Sequence, residues 1–314
     1  MGVFPDALNQ AIIHVLVNPT AGQGRAEQWL RRLKEFTANA NVNAEFHAAS
    51  SRQQMATLAA VLVRNGTKIL FVMGGDGTLQ TVVNVPEIRE AVIGILPLGT
   101  GNDYAAALGI PRNPVQAMRT LLAGRPKRLD LVRMRTANGC ERLYCGGGGL
   151  GLDAEAARLA SERYAWLRGR VRYVAAALHA FCTFTPLTVR VEFPDTNRRA
   201  IEKRVLVTAA LNTPTYGAGL RLAAKARLDD GLLDLTFVEP LRLPDVAGIA
   251  LDWTFSGQLR TSRVSTQSAA RLRFTSDRPC MFQADGEIMG PAPIEVQAVP
   301  AAVNILLPAD SSYL

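Results

Sequence analysis

The sequence is poor in the residues that build the most recognisable sites. It contains 3 histidines, which argues against a His-rich metal centre. Its 4 cysteines, Cys140, Cys145, Cys182 and Cys280, show neither paired metal spacing nor a disulfide framework, so a reducing, cytoplasmic setting fits best. No uninterrupted apolar stretch approaches the roughly 20 residues of a membrane-spanning helix. The apolar run "AIIHVLV" lacks the basic segment that would precede it in a signal peptide, and "MGVFPD" places Asp6 where a myristoylation signal wants Ser or Thr. There is no GxxxxGK[ST] loop, no GxGxxG after a strand, no internal repeat and no low-complexity tract.

What is present is a globular composition. With 314 residues, 48% hydrophobic and 20% charged, the chain is long enough for two domains and an ample core. A net charge of +8 and a pI of about 9.7 favour anionic partners, whether a membrane surface, a nucleotide or a nucleic acid.

Residues 11–125 alternate strand-like and helix-like segments. "AIIHVLV", "NAEFHA", "KILFVM" and "AVIGILPL" read as strands; Ala26–Phe36, Arg52–Arg64, the stretch after Thr78 and that from Asp103 read as helices. This is the rhythm of an open, mostly parallel α/β sheet, in which ligands sit at the carboxyl ends of strands. Three loops fall there: "NPTAGQGR" (18–25), "GGDGT" (74–78) and "LGTGND" (98–103). In the second, Gly74, Gly75 and Gly77 permit close backbone approaches, and amides freed beside a helix N-terminus form an anion site. Asp76 there would repel a bare phosphate, which implies a divalent cation between them; a plain βα turn is the alternative.

From about Arg128 the texture becomes strand-rich: "RLDLVRM", "LTVRVEF", "KRVLVTAAL", "LLDLTFVE", "ARLRFTS" and "CMFQADGE". Helical candidates lie near 153–184 and 243–258. The expected architecture is an N-terminal α/β domain (1–127), with 302–314 as a candidate completing segment, and a β-rich, sandwich-like domain (128–301).

The ordered set "VNPTAGQGR", "GGDGTLQTVVN" and "PLGTGNDYAAALGIP", followed by "YGAGLRLAAKARLDDGLLDL" and "FQADGE", resembles the diacylglycerol kinase catalytic-domain family, which includes sphingosine and ceramide kinases. The resemblance covers nearly the whole chain. GGDGT alone is shared with NAD kinases and phosphofructokinases; its combination with LGTGND, DDGLLD and DGE is highly specific.

The resemblance implies an ATP- and Mg²⁺-dependent kinase. It places the nucleotide phosphates against Asn18, Pro19 and Gly22, against Gly74, Gly75, Asp76, Gly77, Thr78, Leu79 and Gln80, and against Thr100 and Asn102. Asp76, Asp103 and Asp130 match acids that organise the catalytic Mg²⁺; Asp103 also reads as a carboxylate at a helix N-terminus and Asp130 as an ordinary strand residue. Glu287 maps to the family's proton acceptor with Asp285 beside it, although DG by itself favours a solvated hairpin turn. A structural Mg²⁺ maps to the Asp230 carboxylate and the carbonyls of Arg227 and Leu232, with a bare Asp-Gly turn as the alternative.

Several positions depart from the family pattern. Ala21 and Gln23 replace a serine and a lysine, Ala49 a nucleotide-contacting threonine, Gly146 an asparagine, Ala218 a glycine and Ala224 a proline. Arg25 is a candidate to restore the lost charge, and the four glycines of "CGGGGLGLD" read as a pliant loop. The acids all survive, so an active kinase with altered substrate or nucleotide preference is expected. "YAWLRGRVRYVAAALHAFCTF" combines Trp166, Tyr173 and Phe181 with Arg163, Arg168, Arg170 and Arg172, which suits either an anionic membrane surface or a packed helix. Trp253 and Phe255 are pocket or interface candidates, with ordinary core as the alternative.

The leading reading is a lipid kinase acting on a lipid alcohol, diacylglycerol-like or sphingoid, at the inner membrane face. It carries no expectation of nucleic acid and leaves a homodimer open. An NAD kinase-like phosphotransferase and a non-catalytic, nucleotide-responsive membrane-binding protein are the alternatives.

Overall fold

The computed structural model describes residues 12–314 except 168, 218, 242–244 and 246–261. The chain divides into two compact units, one of residues 1–129 with 301–314 and the other of residues 130–300.

The first unit opens with β1 (Ile13–Val17), followed by α1 (Ala26–Asn39), β2 (Ala44–Ala48), α2 (Arg52–Arg64), β3 (Ile69–Gly74), α3 (Asp76–Val83), β4 (Val92–Pro97), α4 (Asp103–Ala107) and α5 (Pro114–Leu122). All six residues of β3 and all six of β4 are buried, as continuous apolar runs are in a sheet covered on both faces. Ser51 starts α2 by accepting from the Gln54 amide, and Met55, Ala59 and Val63 turn one stripe of that helix inward. Gly66, at φ 94°, follows its end. Asn113 caps α5 ahead of Pro114 in the same way.

The strands pair in parallel in the order β2-β1-β3-β4, and Asn304 and Ile305 of the returning C-terminal strand add beside Val92 and Ile93. The order reverses between β1 and β3. In open α/β sheets that switch point is where a ligand crevice forms, beyond the carboxyl ends of the strands.

The second unit continues β5 (Arg125–Thr136) and adds β6 (Glu141–Tyr144), β7 (Gly147–Gly151), α6 (Leu152–Glu162), α7 (Gly169–Thr183), β8 (Leu187–Glu192), β9 (Ile201–Val205), β10 (Val207–Leu211), β11 (Leu233–Val238), β12 (Val264–Ala269), β13 (Arg271–Ser276), β14 (Met281–Ala284), β15 (Glu287–Pro291) and β16 (Ile294–Leu307). Its sheets are antiparallel. One runs β12-β11-β10-β7-β14-β15, and the other sets β13 between β8 and the first residues of β16, with β9 beside β8. Alternate residues such as Leu187, Val189 and Val191 point into a core shared with Phe237, Phe274 and Phe282. The α/β plus sandwich-like architecture is the one expected.

Three local expectations need correction. The helix expected after Thr78 already starts at Asp76, which places that carboxylate in its first turn. The helical stretch near 153–184 is two helices, broken around Tyr164–Leu167. Of the glycines read as a pliant loop, Gly147, Gly148 and Gly149 open β7, a buried strand between β10 and β14, and Gly146 immediately precedes it. A Cβ on Gly148 would stand 2.6 Å from the Phe282 ring, and one on Gly149 2.7 Å from the Thr208 carbonyl. Glycine is required there by crowding rather than by flexibility. The helix expected at 243–258, with Trp253 and Phe255, lies outside the described residues, as do Arg168 and Ala218.

Candidate active site

In the first unit, the loops after β1, β3 and β4 meet over the switch point. Asn18 donates from Nδ2 to Thr78 Oγ1 at 2.9 Å, joining the loop after β1 to the start of α3. Its Oδ1 accepts from the amide and hydroxyl of Thr20, which turns the Asn-Pro-Thr segment. Gly22, at φ 67°, packs on Leu98, and a Cβ there would come within 2.7 Å of that side chain. Gly75 and Gly99 face each other so closely that a Cβ on Gly99 would lie 2.6 Å from the Gly75 Cα. Only glycine allows the loops after β3 and β4 to approach this far.

Asn102 holds the last loop in place. It sits in the left-handed region at φ 57°, with its Oδ1 accepting from Gly99 N and its Nδ2 donating to Gly99 O, each at 2.8 Å. Its own amide donates to Asp76 Oδ2 at 2.8 Å. A Cβ on Gly101 would lie 3.1 Å from Asp76 Oδ2 and 3.8 Å from Asp103 Oδ2. Two hard carboxylate oxygens thus lie close to Gly101, and donors of this kind fit Mg²⁺. Thr100 lies half-buried in the same loop, whereas Pro19 is exposed.

The second unit gathers the remaining acids. Asp285, at φ 49°, forms with Gly286 a left-handed turn between β14 and β15, and Glu287 begins β15. The Asp285 carboxylate accepts from the amides of Cys145, Gly146 and Gly147 at 2.8, 2.9 and 3.2 Å. Burial pushes its pKa up to about 6; those amides oppose the rise, and the Glu287 charge adds to it. Asp130 is buried, with its Oδ2 accepting from Gly231 N at 2.7 Å. Asp230 is exposed, and its Oδ1 accepts from Leu232 N at 3.0 Å, an Asx-type turn. The Arg227 guanidinium pairs with Asp229.

A family model described as the diacylglycerol kinase catalytic domain matches residues 12–134, and one described as the YegS C-terminal NAD kinase beta sandwich-like domain matches residues 148–307, about half of the chain. The chain belongs to the diacylglycerol kinase-like lipid kinase family. It is 29% identical over 297 residues to a Mycobacterium tuberculosis protein named diacylglycerol kinase, covering 94% of this chain and 95% of that one. It is 28% identical over 266 residues to a Stenotrophomonas maltophilia protein named "Probable lipid kinase YegS-like", covering 81% and 84% respectively. A crystal structure of a diacylglycerol kinase from Bacillus anthracis shares the fold at a TM-score of 0.69 and 16% identity, covering 95% of this chain and 97% of that one.

Within the kinase fold, the departures take definite forms. Ala21 and Gln23 lie in a tight turn at Ala21–Gly24, and Arg25 Nε donates back to Gly22 O at 3.1 Å. Ala49 is buried, and the neighbouring hydroxyls serve the start of α2: Ser51 caps it and Ser50 donates to Gln54. Gly146 leaves room for the Asp285 carboxylate, since a Cβ there would lie 3.2 Å from Oδ1. Ala224 is exposed.

A second group of residues escaped sequence reading. Asp153, in the first turn of α6, accepts from the Tyr216 hydroxyl and, at 3.0 Å, from Gln283 Nε2. Burial raises the pKa of both Asp153 and Tyr216. Gln283 Oε1 in turn accepts from Gly286 N at 3.0 Å. The turn carrying Asp285 and Glu287 is therefore tied both to the glycine strand and to a buried polar cluster. β14 buries Phe282, Gln283 and Ala284 in succession, so Gln283 is buried on the face opposite the Phe282 and Ala284 side chains, which sequence alternation alone would have assigned to solvent.

Proposed function

We propose that the chain is an ATP- and Mg²⁺-dependent kinase that transfers the γ-phosphoryl group to the hydroxyl of a lipid alcohol, diacylglycerol-like or sphingoid. The observation that carries this reading is that Asp76 Oδ2 and Asp103 Oδ2 both lie close to Gly101, 3.1 and 3.8 Å from where its Cβ would stand, in loops that Gly75 and Gly99 bring together. Asn18, Gly22, Gly74–Gln80, Thr100 and Asn102 bind and orient the nucleotide phosphates, with Pro19 shaping the first loop. Mg²⁺, held by Asp76 and Asp103, supplies charge neutralisation for phosphoryl transfer. Asp130 is the third acid that the resemblance assigns to the catalytic Mg²⁺, and in its own unit it braces the 227–232 loop through Gly231.

Glu287 takes the proton of the attacking hydroxyl, and Asp285 positions it. Both Asp285 oxygens already accept from backbone amides, so its carboxylate holds the turn rather than working as a second base. Asp230, with the carbonyls of Arg227 and Leu232, holds a structural Mg²⁺.

The lipid is met at the inner membrane face. In α7, Ala176 and Ala180 pack on Leu159 and Ala160, while Val171, Val174 and Leu178 are exposed along one face. Trp166 is 76% exposed just before them, and Arg163 is exposed beside it. An apolar face with an amphipathic ring and basic residues suits an anionic bilayer surface. Among the described residues, no helix is long and apolar enough to cross a membrane.

Labelled ATP supplied with a lipid extract or with NAD, followed by product chromatography, tests the reading. Labelled lipid is the expected product. Labelled NADP would favour the NAD kinase alternative, which the name of the matched second-domain family keeps open. Nucleotide binding without product would favour a regulatory protein.

A further inference from the structure

The low histidine content argued against a His-rich metal centre, yet two of the 3 histidines converge. In the parallel pairing of β1 with β2, His14 stands opposite Glu45, and His47 lies two residues further along β2 on the same face. His14 Nδ1 is 3.0 Å from His47 Nε2. Glu45 Oε2 is 3.5 Å from the first nitrogen and 3.8 Å from the second. A tetrahedral Zn²⁺ with ligands at about 2.0–2.2 Å spaces them about 3.3–3.5 Å apart. The three observed separations bracket that spacing, so the ligand atoms need shift only by tenths of an ångström.

The ligand chemistry points the same way. Two imidazoles and one carboxylate suit zinc and similar divalent transition ions; Mg²⁺ demands a set dominated by oxygen. Three protein ligands leave a fourth position for water. The side chains of His14, Glu45 and His47 are 16%, 54% and 25% exposed, which gives an ion a route from solvent. Among the described residues, this is the grouping of His, Cys, Asp or Glu whose ligand atoms all lie within 4.8 Å of one another.

We propose that His14, Glu45 and His47 form a binding site for Zn²⁺ or a similar divalent transition ion, separate from the phosphoryl-transfer cation. Its effect is mechanical. β2 is the edge strand of its sheet and has no fully buried residue, so it has little packing to hold it. An ion shared between β1 and β2 clasps that edge, and an ion bound only by the folded chain stabilises it by mass action.

The test uses the full chain, stripped with chelator and titrated with Zn²⁺ while Mg²⁺ is in millimolar excess. Wild type is expected to take up one Zn²⁺ per chain and to melt at a higher temperature with it. His47→Gln and Glu45→Gln, both at partly exposed positions on the edge strand, should each weaken Zn²⁺ binding by at least about 100-fold, since even losing an outer partner of a metal ligand costs 10–100-fold. They should also lose the thermal shift while keeping the wild-type circular dichroism. Co²⁺ added to wild type should give ligand-field absorption of a tetrahedral site with nitrogen and oxygen donors, a readout that does not depend on how the variants fold. No uptake of Zn²⁺ by wild type overturns the proposal. So does undiminished uptake by both variants, or a Co²⁺ spectrum dominated by thiolate charge transfer, which would place the ion on cysteine.

Discussion

The backbone amide of Asn102 donates to Asp76 Oδ2 at 2.8 Å, so one carboxylate oxygen fastens the loop after β4 to the turn after β3. Asp76 therefore has a structural bond in addition to its proposed hold on the cation, and the two can be separated. Asp76→Asn keeps an oxygen to accept from Asn102 but loses the charge. Its turnover should fall by about 10²–10³-fold or more, as when one preorganised electrostatic group is removed, while the melting temperature stays near wild type. Asp76→Ala should abolish turnover and also lose about 1–3 kcal/mol of stability as the Asn102 amide goes unpaired. Near wild-type rates for folded Asp76→Asn at saturating Mg²⁺-ATP would remove Asp76 from the chemistry.

Asn102 offers a separate test, because its backbone is left-handed and its side chain bonds Gly99 twice. Asn102→Ala should cost about 1–2 kcal/mol for the left-handed conformation, plus about 1 kcal/mol for the lost hydrogen bonds. Asn102→Gly relieves the first cost and keeps the second. Urea denaturation should rank wild type above Gly and Gly above Ala; equal losses for the two variants would show that backbone strain contributes nothing.

Much of this was legible because it was local. The apolar run of β3 and the Ser51–Gln54 start of α2 announce themselves within a few residues, and the reading of a helix over Arg52–Arg64 matches its observed limits. The glycine loops stood out because each follows a strand, at the carboxyl end where open α/β sheets form ligand crevices. What escaped depends on partners far apart in sequence. Asp153 meets Gln283 across 130 residues, and Asp285 meets Gly146 across 139. The glycines of β7 misled for the same reason, since the crowding of Gly148 by Phe282 and of Gly149 by Thr208 appears only when β14 and β10 are laid alongside. His14 and His47 lie 33 residues apart, and only the register of β1 with β2 brings them together.

Asp285 should leave a signature in pH. Its pKa in the folded chain is raised to about 6 from the ordinary 3.8, with burial as the largest cause. The folded state therefore binds this proton more tightly than the unfolded chain does. The carboxyl contributes stability that is fully present below pH 4 and is lost as pH rises through 6. Carboxyl-carbon NMR should show one aspartate titrating near 6, absent from Asp285→Asn. Thermal denaturation from pH 4 to 7 should give a stability difference between wild type and that variant that changes over the same range. A midpoint at or below 4 would mean that the three amides outweigh burial.

The exposed face of α7 predicts how the protein meets lipid. Sedimentation should show tighter binding to anionic than to neutral liposomes, given the net charge of +8. Added salt should weaken it, because exposed charges are screened over about 10 Å at 0.1 M. Trp166→Glu or Leu178→Glu should reduce binding at every lipid composition, since these residues would supply the apolar share. Binding indifferent to both lipid charge and these substitutions would locate the membrane contact elsewhere or nowhere.

Glu287 and Asp230 are the acids whose proposed roles differ most. Glu287→Gln keeps shape and much of the hydrogen bonding but cannot take a proton. Removing a general base typically costs about 10²–10⁴-fold in rate, with nucleotide binding and melting temperature little changed. Asp230 already caps its own turn through Leu232 N, a bond that Asp230→Asn can retain through its amide oxygen. Any loss in that variant therefore reports the missing charge rather than a broken turn. If Asp230 holds a structural cation, Asp230→Asn should melt lower than wild type at a given Mg²⁺ concentration and respond less to added Mg²⁺, because a ligand bound only by the folded state stabilises it by mass action. Its activity should partly recover at high Mg²⁺, and that of Glu287→Gln should not. Turnover and melting temperature measured for both variants across one Mg²⁺ titration decide the matter. Substantial turnover in Glu287→Gln would show that the proton goes elsewhere, and an unchanged Mg²⁺ response in Asp230→Asn would leave its loop an ordinary Asp-Gly turn.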